Sequence, residues 1–256
     1  MRESGILMHI TSLPAPYGIG TMGKDAYAFV DFLVRAGQRY WQILPLTPTG
    51  YGDSPYQSLG ACAGNHYLID LDRLADEGLL KKEEIQNISW GSNPARVDFG
   101  AMYAHRMNVL RLAFQRFAPD EAYETFVEQN RSWLEDYALF TALKDTLGGK
   151  PWLEWPEALR LRKADALTEK RRELSDEIRL QYFVQYEFDR QWKALRSYAN
   201  AKGVRIIGDV PIYVPLDSAD VWANPELFQL DESRHPEQVA GCPPDSFTAD
   251  GQLWGN

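Results

Sequence analysis

Residues Gln42–Asn65, QILPLTPTGYGDSPYQSLGACAGN, continue an apolar strand-like run, Tyr40–Leu46, into a long loop. The loop is dense in Gly, Pro, Asp, Ser and Asn, the residue types that fix the backbone in turns. It also carries hydroxyl side chains, among them Tyr51, Ser54 and Tyr56, which suit a ligand rich in hydroxyl groups. An α/β enzyme often places specificity groups on a loop after a buried strand, so we interpret this loop as a binding site. A turn with packed aromatic side chains is the simpler alternative.

Before this loop, the sequence predicts a strand, a helix and a second strand. Ile6–Ile10 is a short apolar run, and Tyr40–Leu46 is the second one. Between them, five apolar residues recur at the i, i+3 and i+4 spacing of an amphipathic helix, which Gly37 ends: Ala26, Phe29, Val30, Leu33 and Val34. A β–α–β unit of about forty residues makes its two strands parallel.

After the loop, the chain is largely helical and then returns to a strand. The pattern predicts helices over Tyr103–Phe117, Ala122–Leu147 and Ser175–Asn200, and a third strand over Val204–Val214, VRIIGDVPIYV. Three parallel-type strands indicate an α/β fold, but a (β/α)8 barrel needs eight strands to close. We therefore expect residues 1–256 to form an incomplete barrel domain, the N-terminal portion of a longer protein. Residues 72–200 are then a largely helical insertion between the second and third strands.

Composition excludes several classes of protein. A net charge of -9 argues against a nucleic-acid partner or an anionic membrane surface, since both need basic patches. Cys62 and Cys242 show neither metal-site spacing nor a disulfide framework, which favours a reducing, cytoplasmic location. The sequence contains no secretory signal and no run of transmembrane length. We expect no metal and no cofactor.

One motif points to a different chemistry. Gly18–Gly23, GIGTMG, matches the G-x-G-x-x-G pattern that binds a dinucleotide pyrophosphate at a helix N-terminus. Its context is poor, because TSLPAPY separates it from the preceding strand and Leu46–Pro48 occupies the place of the expected acidic residue. A tight loop that leads into the first helix is the favoured interpretation.

Two later features are further site candidates. Asp209 follows the apolar residues of the third strand and is either a buried hydrogen-bonding anchor or a site residue at the strand end. Pro211 and Pro215 indicate that the strand is ending, which favours a site residue, either in direct chemistry or in support of the site. The segment Pro243–Asn256 is either a surface loop or a mobile element that offers a stacking tryptophan. His9 has no metal-ligand pattern around it and is expected to be a hydrogen-bonded, partly buried histidine.

Six motifs together are similar to those of one family. They are SLPAPYGIGTMG, WQILPLTPTGYGDSPYQS, AGN, GDVPIYV, SADVWANPELF and GCPPDSFTADGQLWGN. In these motifs the sequence resembles the 4-α-glucanotransferases, or amylomaltases, of glycoside hydrolase family 77. The resemblance covers the whole chain but only the first part of such an enzyme.

The resemblance implies a (β/α)8 barrel that transfers α-1,4-glucan segments between maltooligosaccharides and retains the anomeric configuration. It implies that the nucleophilic Asp and the acid/base Glu lie on later strands, so no catalytic carboxylate is expected in this chain. The implied substrate-binding residues are Tyr51, Ser54, Tyr56, Asp209, Asp245, Gln252 and Trp254. Among these, Asp209 supports the site, and Asp245, Gln252 and Trp254 belong to a flexible lid loop. A glucan-binding module without chemistry and, less favoured, a nicotinamide-dependent oxidoreductase are the alternatives.

Overall fold

The structure, a computed structural model, describes residues 2–50, 52–93, 95–246 and 248–253. Contacts between Cα atoms divide the chain into two units. The first unit comprises Met1–Pro48, Gly64–Gln129 and Tyr182–Val210, and the second comprises Thr49–Ala63, Asn130–Gln181 and Pro211–Asn256. The predicted helical insertion at residues 72–200 therefore contributes to both units.

A three-stranded parallel sheet lies in the first unit. Its strands are β1 (Gly5–Leu7), β2 (Tyr40–Gln42) and β3 (Arg205–Ile207), in the order β1-β2-β3. In the register, Ile6 faces Trp41, which in turn faces Ile206, so the predicted parallel pairing is confirmed.

The strands are shorter than the apolar runs predict, since each ladder holds only three residues. Pro45 and Pro211 have no backbone N–H and cannot donate to a ladder, which limits how far β2 and β3 can extend. The predicted strand Val204–Val214 is wrong beyond Ile207, and Val210 and Ile212 are exposed.

Helix α1 (Lys24–Arg35) packs on the sheet as its apolar spacing predicts. Ala26, Val30 and Leu33 are fully buried and belong to one core cluster with Trp41 of β2. Trp41 also donates from Nε1 to the Met8 carbonyl at 2.8 Å, which ties it to the chain after β1. Gly37 follows the helix with φ 69°, the left-handed conformation expected of a glycine after a helix end.

Eight further helices follow β2 among the described residues: α2 (Leu71–Asp76), α3 (Lys82–Gln86), α4 (Phe99–Phe114), α5 (Glu121–Thr146), α6 (Glu157–Arg160), α7 (Ala164–Glu173), α8 (Ser175–Ala201) and α9 (Ala219–Ala223). The three long predicted helices correspond to α4, α5 and α8. Helix α4 begins four residues earlier than predicted because the Asp98 side chain accepts from the Ala101 N–H at 3.0 Å and caps it. Short 3-10 turns cover Ile10–Ser12, His66–Leu68, Trp152–Glu154 and Pro225–Leu227.

The second unit has an aromatic core of its own. Phe140, Trp155 and Trp222 pack with ring centroids 5.3–5.8 Å apart and are at most 4% exposed. Trp222 donates from Nε1 to the Leu159 carbonyl at 3.0 Å, which satisfies its buried polar atom. A two-stranded antiparallel hairpin, β4 (Gly241–Cys242) and β5 (Gln252–Leu253), belongs to the same unit.

None of the described helices combines the length and the apolar character that crossing a lipid bilayer requires. Over the same residues, no cluster of three or more His, Cys, Asp or Glu side chains has the arrangement of a metal site. Cys62 and Cys242 are both free.

Candidate functional site

The body of the turn-rich loop, residues 49–63, is held by hydrogen bonds within the second unit. The Gly50 N–H donates to the Gln57 carbonyl at 3.2 Å, and the Asp53 N–H donates to the Gly50 carbonyl at 3.2 Å. Gly52 and Asp53 have φ 93° and 58°, so a tight left-handed turn stands at the tip, as the Gly-Asp-Ser-Pro sequence predicts. The described part of the loop thus has a defined conformation.

Ser54 and Tyr56 lie together after this turn. The Tyr56 N–H donates to Ser54 Oγ at 3.3 Å, so part of the hydroxyl's bonding capacity stabilises the loop itself. Tyr56 is 42% exposed, so part of this residue is accessible to a ligand. Tyr51 lies outside the described residues.

The base of the loop is fixed to helix α9 and to α5 in the same unit. The Ala61 N–H donates to Asp220 Oδ2 at 2.9 Å, and the Ala219 N–H donates to the Leu59 carbonyl at 2.9 Å. Burial raises the pKa of Asp220. At Gly60, a Cβ atom would lie 2.6 Å from the Tyr137 ring, so the loop approaches α5 closely. Ala219 and Asp220 of the SADVWANPELF motif therefore hold the base of the loop by hydrogen bonds.

Packing in the first unit explains Gly64 and Asn65 of the AGN motif. Gly64 donates to Gln185 Oε1 at 2.7 Å and accepts from Gln185 Nε2 at 3.0 Å. A Cβ at Gly64 would lie 2.0 Å from the Phe188 ring. Asn65 donates from its backbone to the Leu46 carbonyl at 2.7 Å, and its side chain caps the following 3-10 turn. These residues close the loop at its ends.

Asp209 lies two residues beyond the last residue of β3, in the first unit. It is exposed, and its Oδ1 accepts from the Val210 N–H at 2.8 Å. The alternative of a buried anchor inside a strand is therefore wrong. The position at the carboxyl end of a parallel strand is the one that α/β folds use for ligand sites.

The segment Pro243–Asn256 is an ordered hairpin over its described part, which the loop prediction did not anticipate. Cys242 pairs with Gln252, and the Gly251 backbone has φ 72°. Asp245 Oδ1 accepts from the Thr248 N–H at 2.9 Å, so its carboxylate stabilises the turn of the hairpin. Gln252 is exposed. Trp254 lies outside the described residues.

The GIGTMG segment uses its glycines for internal packing. A Cβ at Gly20 would lie 1.9 Å from the Ile10 carbonyl oxygen, and a Cβ at Gly23 would lie 2.0 Å from Asp70 Oδ2. Asp70 also accepts from Thr21 Oγ1 at 2.6 Å. An acidic side chain therefore lies close to Gly23, the N-cap of α1, where a dinucleotide fold would place the pyrophosphate. This arrangement counts against the oxidoreductase interpretation.

A cavity of about 1080 Å³ in the first unit adjoins the same segment. Ser12, Tyr17, Trp90 and Arg96 are among its lining residues, and no sequence motif indicated Trp90 there. Tyr17 donates to Asp72 Oδ1 at 2.6 Å, and burial raises the pKa of Tyr17.

His9 has a buried Nδ1 without a hydrogen-bond partner among the described residues. The prediction of a hydrogen-bonded histidine is therefore wrong for this atom.

Comparison with known proteins identifies the family. The sequence model of glycoside hydrolase family 77, described as 4-alpha-glucanotransferase, matches residues 8–256. This chain belongs to family 77. The 4-alpha-glucanotransferase of Thermus thermophilus is 52% identical over 261 residues, and that of Clostridium butyricum is 49% identical over 252 residues. These alignments cover 100% and 97% of this chain but only 51% and 52% of the relatives.

Two solved amylomaltase structures are similar to this chain. The amylomaltase of Streptococcus agalactiae, in complex with acarbose, superposes with a TM-score of 0.96 at 49% identity and covers 100% of this chain. The amylomaltase of Corynebacterium glutamicum has a TM-score of 0.74 at 19% identity, which shows the fold alone. The matched part is 52% and 36% of those two chains, respectively. The chain thus spans about half the length of the curated relatives that it matches.

Proposed function

We propose that the complete protein is a 4-α-glucanotransferase that transfers α-1,4-glucan segments between maltooligosaccharides. The match of family 77 to residues 8–256 carries this proposal. The amylomaltase of S. agalactiae was solved with acarbose, which supports a related ligand here. A cytoplasmic location, without a nucleic-acid or membrane partner, is consistent with the net charge of -9 and the two free cysteines.

The proposed scaffold is a (β/α)8 barrel in which β1, β2 and β3 are the first three strands. A barrel requires parallel strands that lie side by side in chain order, and β1, β2 and β3 have this order. They would supply three of its eight strands. The turn-rich loop follows β2 and Asp209 follows β3, at the strand ends where barrel enzymes place their sites. Residues 72–200 are then an insertion between the second and third barrel strands.

The proposed reaction is a double displacement that retains the anomeric configuration. It needs one carboxylate as nucleophile and one carboxyl group as acid/base, about 5–5.5 Å apart. We assign neither to this chain, because the family resemblance implies that both lie on later strands. Asp209 has a supporting role, and its exposed position beyond β3 is compatible with it.

The proposed contribution of this chain is substrate binding. Tyr51 and Tyr56 would contact sugar rings, and Ser54 would hold the loop that carries them. Exposure of Tyr56 and the hydrogen-bonded turn before it support this role. A non-catalytic glucan-binding module would use the same contacts. Only a measurement of glucan transfer therefore distinguishes the transferase from the binding module.

Disproportionation of maltotriose tests the proposed function. We expect the product of the complete gene to form glucose and longer maltooligosaccharides, and the 256-residue chain alone to form neither. Chromatography of the saccharides after incubation measures both. If the complete protein binds maltotriose without converting it, the binding-module alternative is correct. If the 256 residues convert it, and a substitution within them abolishes the reaction, our placement of the carboxylates is wrong.

The segment Pro243–Asn256 is proposed as a lid that closes over the bound glucan. Trp254 and Gln252 would contact the sugar on closing and exclude water from the covalent intermediate. In the complete protein, Trp254→Ala should raise the ratio of hydrolysis to transfer, while Trp254→Phe should retain a low ratio. An unchanged ratio combined with lower stability would instead make Trp254 a core residue.

A further inference from the structure

A small cavity in the second unit has three arginine residues in its lining, Arg160, Arg162 and Arg234. We call it the arginine cavity. Its volume is about 160 Å³, and two buried tryptophans, Trp152 and Trp222, also line it. In a chain with a net charge of -9, three guanidinium groups around one small cavity create a locally positive site.

Arg162 is held in place and still has a free donor. Its guanidinium stacks over the Trp222 ring, 4.2 Å from the ring centroid, and Nη2 donates to Asp136 Oδ1 at 2.7 Å. Its Nη1 is buried without a hydrogen-bond partner among the described residues. A buried donor without an acceptor is unfavourable, and a ligand oxygen in the cavity would reach this atom only after the side chains around it moved.

Arg234 is presented by a well-defined turn. Asp231 Oδ1 accepts from the Ser233 N–H at 2.8 Å and from the His235 N–H at 2.9 Å, which fixes the turn. Arg160 Nη1 donates to the Ser233 carbonyl at 3.1 Å and thereby fastens the turn beside α6. Within the described residues, the Arg234 guanidinium has no hydrogen bond and no ion pair. Arg234 lines the cavity, and the N–H groups of its guanidinium are available to a ligand.

The backbone at two of these arginines is strained. Only three described residues other than glycine have positive φ, and two of them line this cavity: Arg162 at 55° and Arg234 at 71°. An arginine in the left-handed region costs free energy that a glycine would avoid. Nothing in the turn itself requires an arginine at residue 234. At Arg162 the left-handed conformation belongs to the C-terminal cap of α6, because the Arg162 N–H donates to the Leu159 carbonyl at 3.1 Å and the Lys163 N–H donates to the Ala158 carbonyl at 2.8 Å.

We propose that the arginine cavity binds a phosphate group, as inorganic phosphate or as a sugar phosphate monoester. The planar guanidinium group matches oxyanions with paired donors, and phosphate binding commonly depends on clustered arginines. A phosphate has enough oxygens to accept from three arginines at once, whereas a carboxylate has only two. Glu226, the one carboxylate that lines the cavity, forms no ion pair with the described residues. Because Asp136 pairs with Arg162, the three arginines exceed these two carboxylates by one positive charge.

Isothermal titration calorimetry at low ionic strength tests the site, with inorganic phosphate as the probe. We expect one phosphate per chain, and we expect chloride at equal ionic strength to bind at least tenfold more weakly. The absence of heat up to 10 mM phosphate (about ten times the concentration that half-fills a site with a Kd of 1 mM) would overturn the proposal. Equal binding of chloride would overturn it as well.

Arg234→Gly separates binding from folding. It removes the guanidinium and relieves the left-handed backbone, so we expect an unchanged or higher melting temperature and at least a tenfold loss of phosphate affinity. Arg172→Gln is the matched control, because Arg172 is an exposed arginine of α7 in the same unit, outside the cavity. It should bind phosphate as the unchanged protein does. Equal affinity in both variants would show that the arginine cavity is not the site.

Two further titrations identify the source of the phosphate group. If a hexose 6-phosphate binds at least tenfold more tightly than inorganic phosphate, the ligand is the monoester. If inorganic phosphate binds as tightly or more tightly, the ligand is the free anion. Glucose without phosphate should not bind at this site, and competition between glucose and phosphate there would contradict the proposal. None of these measurements depends on glucan transfer.

Discussion

Tyr56 combines an anchored backbone with a side chain that is partly exposed. In the complete protein, Tyr56→Ala should lower kcat/KM for maltooligosaccharides by the value of one aromatic contact, about 1–3 kcal/mol by analogy with stacking on flat ligands. Because the side chain is 42% exposed, the variant should retain its fold. Tyr56→Phe keeps the ring and should lose less. Equal losses in the two variants would assign the effect to the hydroxyl group, and no loss in Tyr56→Ala would remove Tyr56 from the site.

Gly20 shows how a residue in a motif can serve packing. A Cβ there would lie 1.9 Å from the Ile10 carbonyl oxygen, a backbone atom that cannot move alone. Gly20→Ala should therefore lower the free energy of unfolding by about 1–3 kcal/mol or more, as overpacking does. The control is Gly208→Ala, since a Cβ at Gly208 meets nothing within 4 Å and its φ is not positive. The control should change stability by less than about 0.5 kcal/mol in urea unfolding.

His9 and His66 should make stability depend on pH. Burial lowers the pKa of His9 to about 4 and that of His66 to about 3, against an ordinary value of 6.5. Below pH 6.5 the unfolded chain binds protons that the folded chain does not, so stability is complete above pH 6.5 and falls as the pH approaches 4. Unfolding in urea at pH 7 and pH 5 measures this loss.

Substitution of His9 identifies its share of the pH dependence. His9→Gln should lose less stability between pH 7 and pH 5 than the unchanged protein. The exposed His235 provides the control, because His235→Gln should keep the full dependence. If all three proteins lose the same free energy over this interval, burial of His9 does not couple to folding.

At the scale of elements, capping residues determine where helices begin. Asp70 caps α2 by accepting from the Arg73 N–H at 3.0 Å, and it also accepts from the buried Thr21 hydroxyl at 2.6 Å. The Asp98 side chain caps α4 and is exposed. Asp98→Ala should cost about 1 kcal/mol, the usual value of a cap.

Asp70→Ala should cost about 2–4 kcal/mol, because it adds an unsatisfied buried hydroxyl to the loss of the cap. Denaturant unfolding of both variants gives the difference. A double variant with Thr21→Val should recover part of the loss, since it removes the hydroxyl that Asp70 leaves without an acceptor. Equal costs for Asp70→Ala and Asp98→Ala would show that the contact with Thr21 contributes nothing.

Periodicity predicted the long helices and the parallel strands, because these depend on side-chain spacing within one segment. It did not predict strand length, which depends on pairing partners distant in sequence and on prolines such as Pro45 and Pro211. It also missed the hairpin of β4 and β5, since Pro243 and Pro244 argued against strands and the pairing involves only two residues on each side. Short ladders of this kind carry too little pattern for a sequence to reveal.

For the whole molecule, family motifs predicted the class of protein, whereas the site was predicted only in part. Ser54, Tyr56 and Asp209 fall on loops at strand ends or beside turns, as their neighbours in sequence indicate. The arginine cavity gave no signal, because Arg160 and Arg234 are 74 positions apart in the sequence and meet only through the fold. Residue-type propensities likewise do not predict an arginine with a positive φ.

Exposed edges of the three-stranded sheet should control how these 256 residues behave in solution. Within the described residues β1 and β3 are both edge strands, and the nearby side chains of Leu7, Ile207 and Val210 are 55%, 43% and 75% exposed. Uncovered strand edges beside apolar side chains favour association. In size-exclusion chromatography with light scattering, the mean mass of a 256-residue preparation should therefore rise with concentration.

Two substitutions at equal exposure test the cause of this association. Val210→Lys places a charge beside the edge strand β3 and should increase the monomer fraction. Leu227→Lys also replaces an apolar side chain that is 75% exposed, but in the 3-10 turn Pro225–Leu227, and should leave the mass unchanged. An equal gain of monomer in both would attribute association to apolar exposure in general. A chain that remains monomeric at every concentration would show that these strand edges do not drive association.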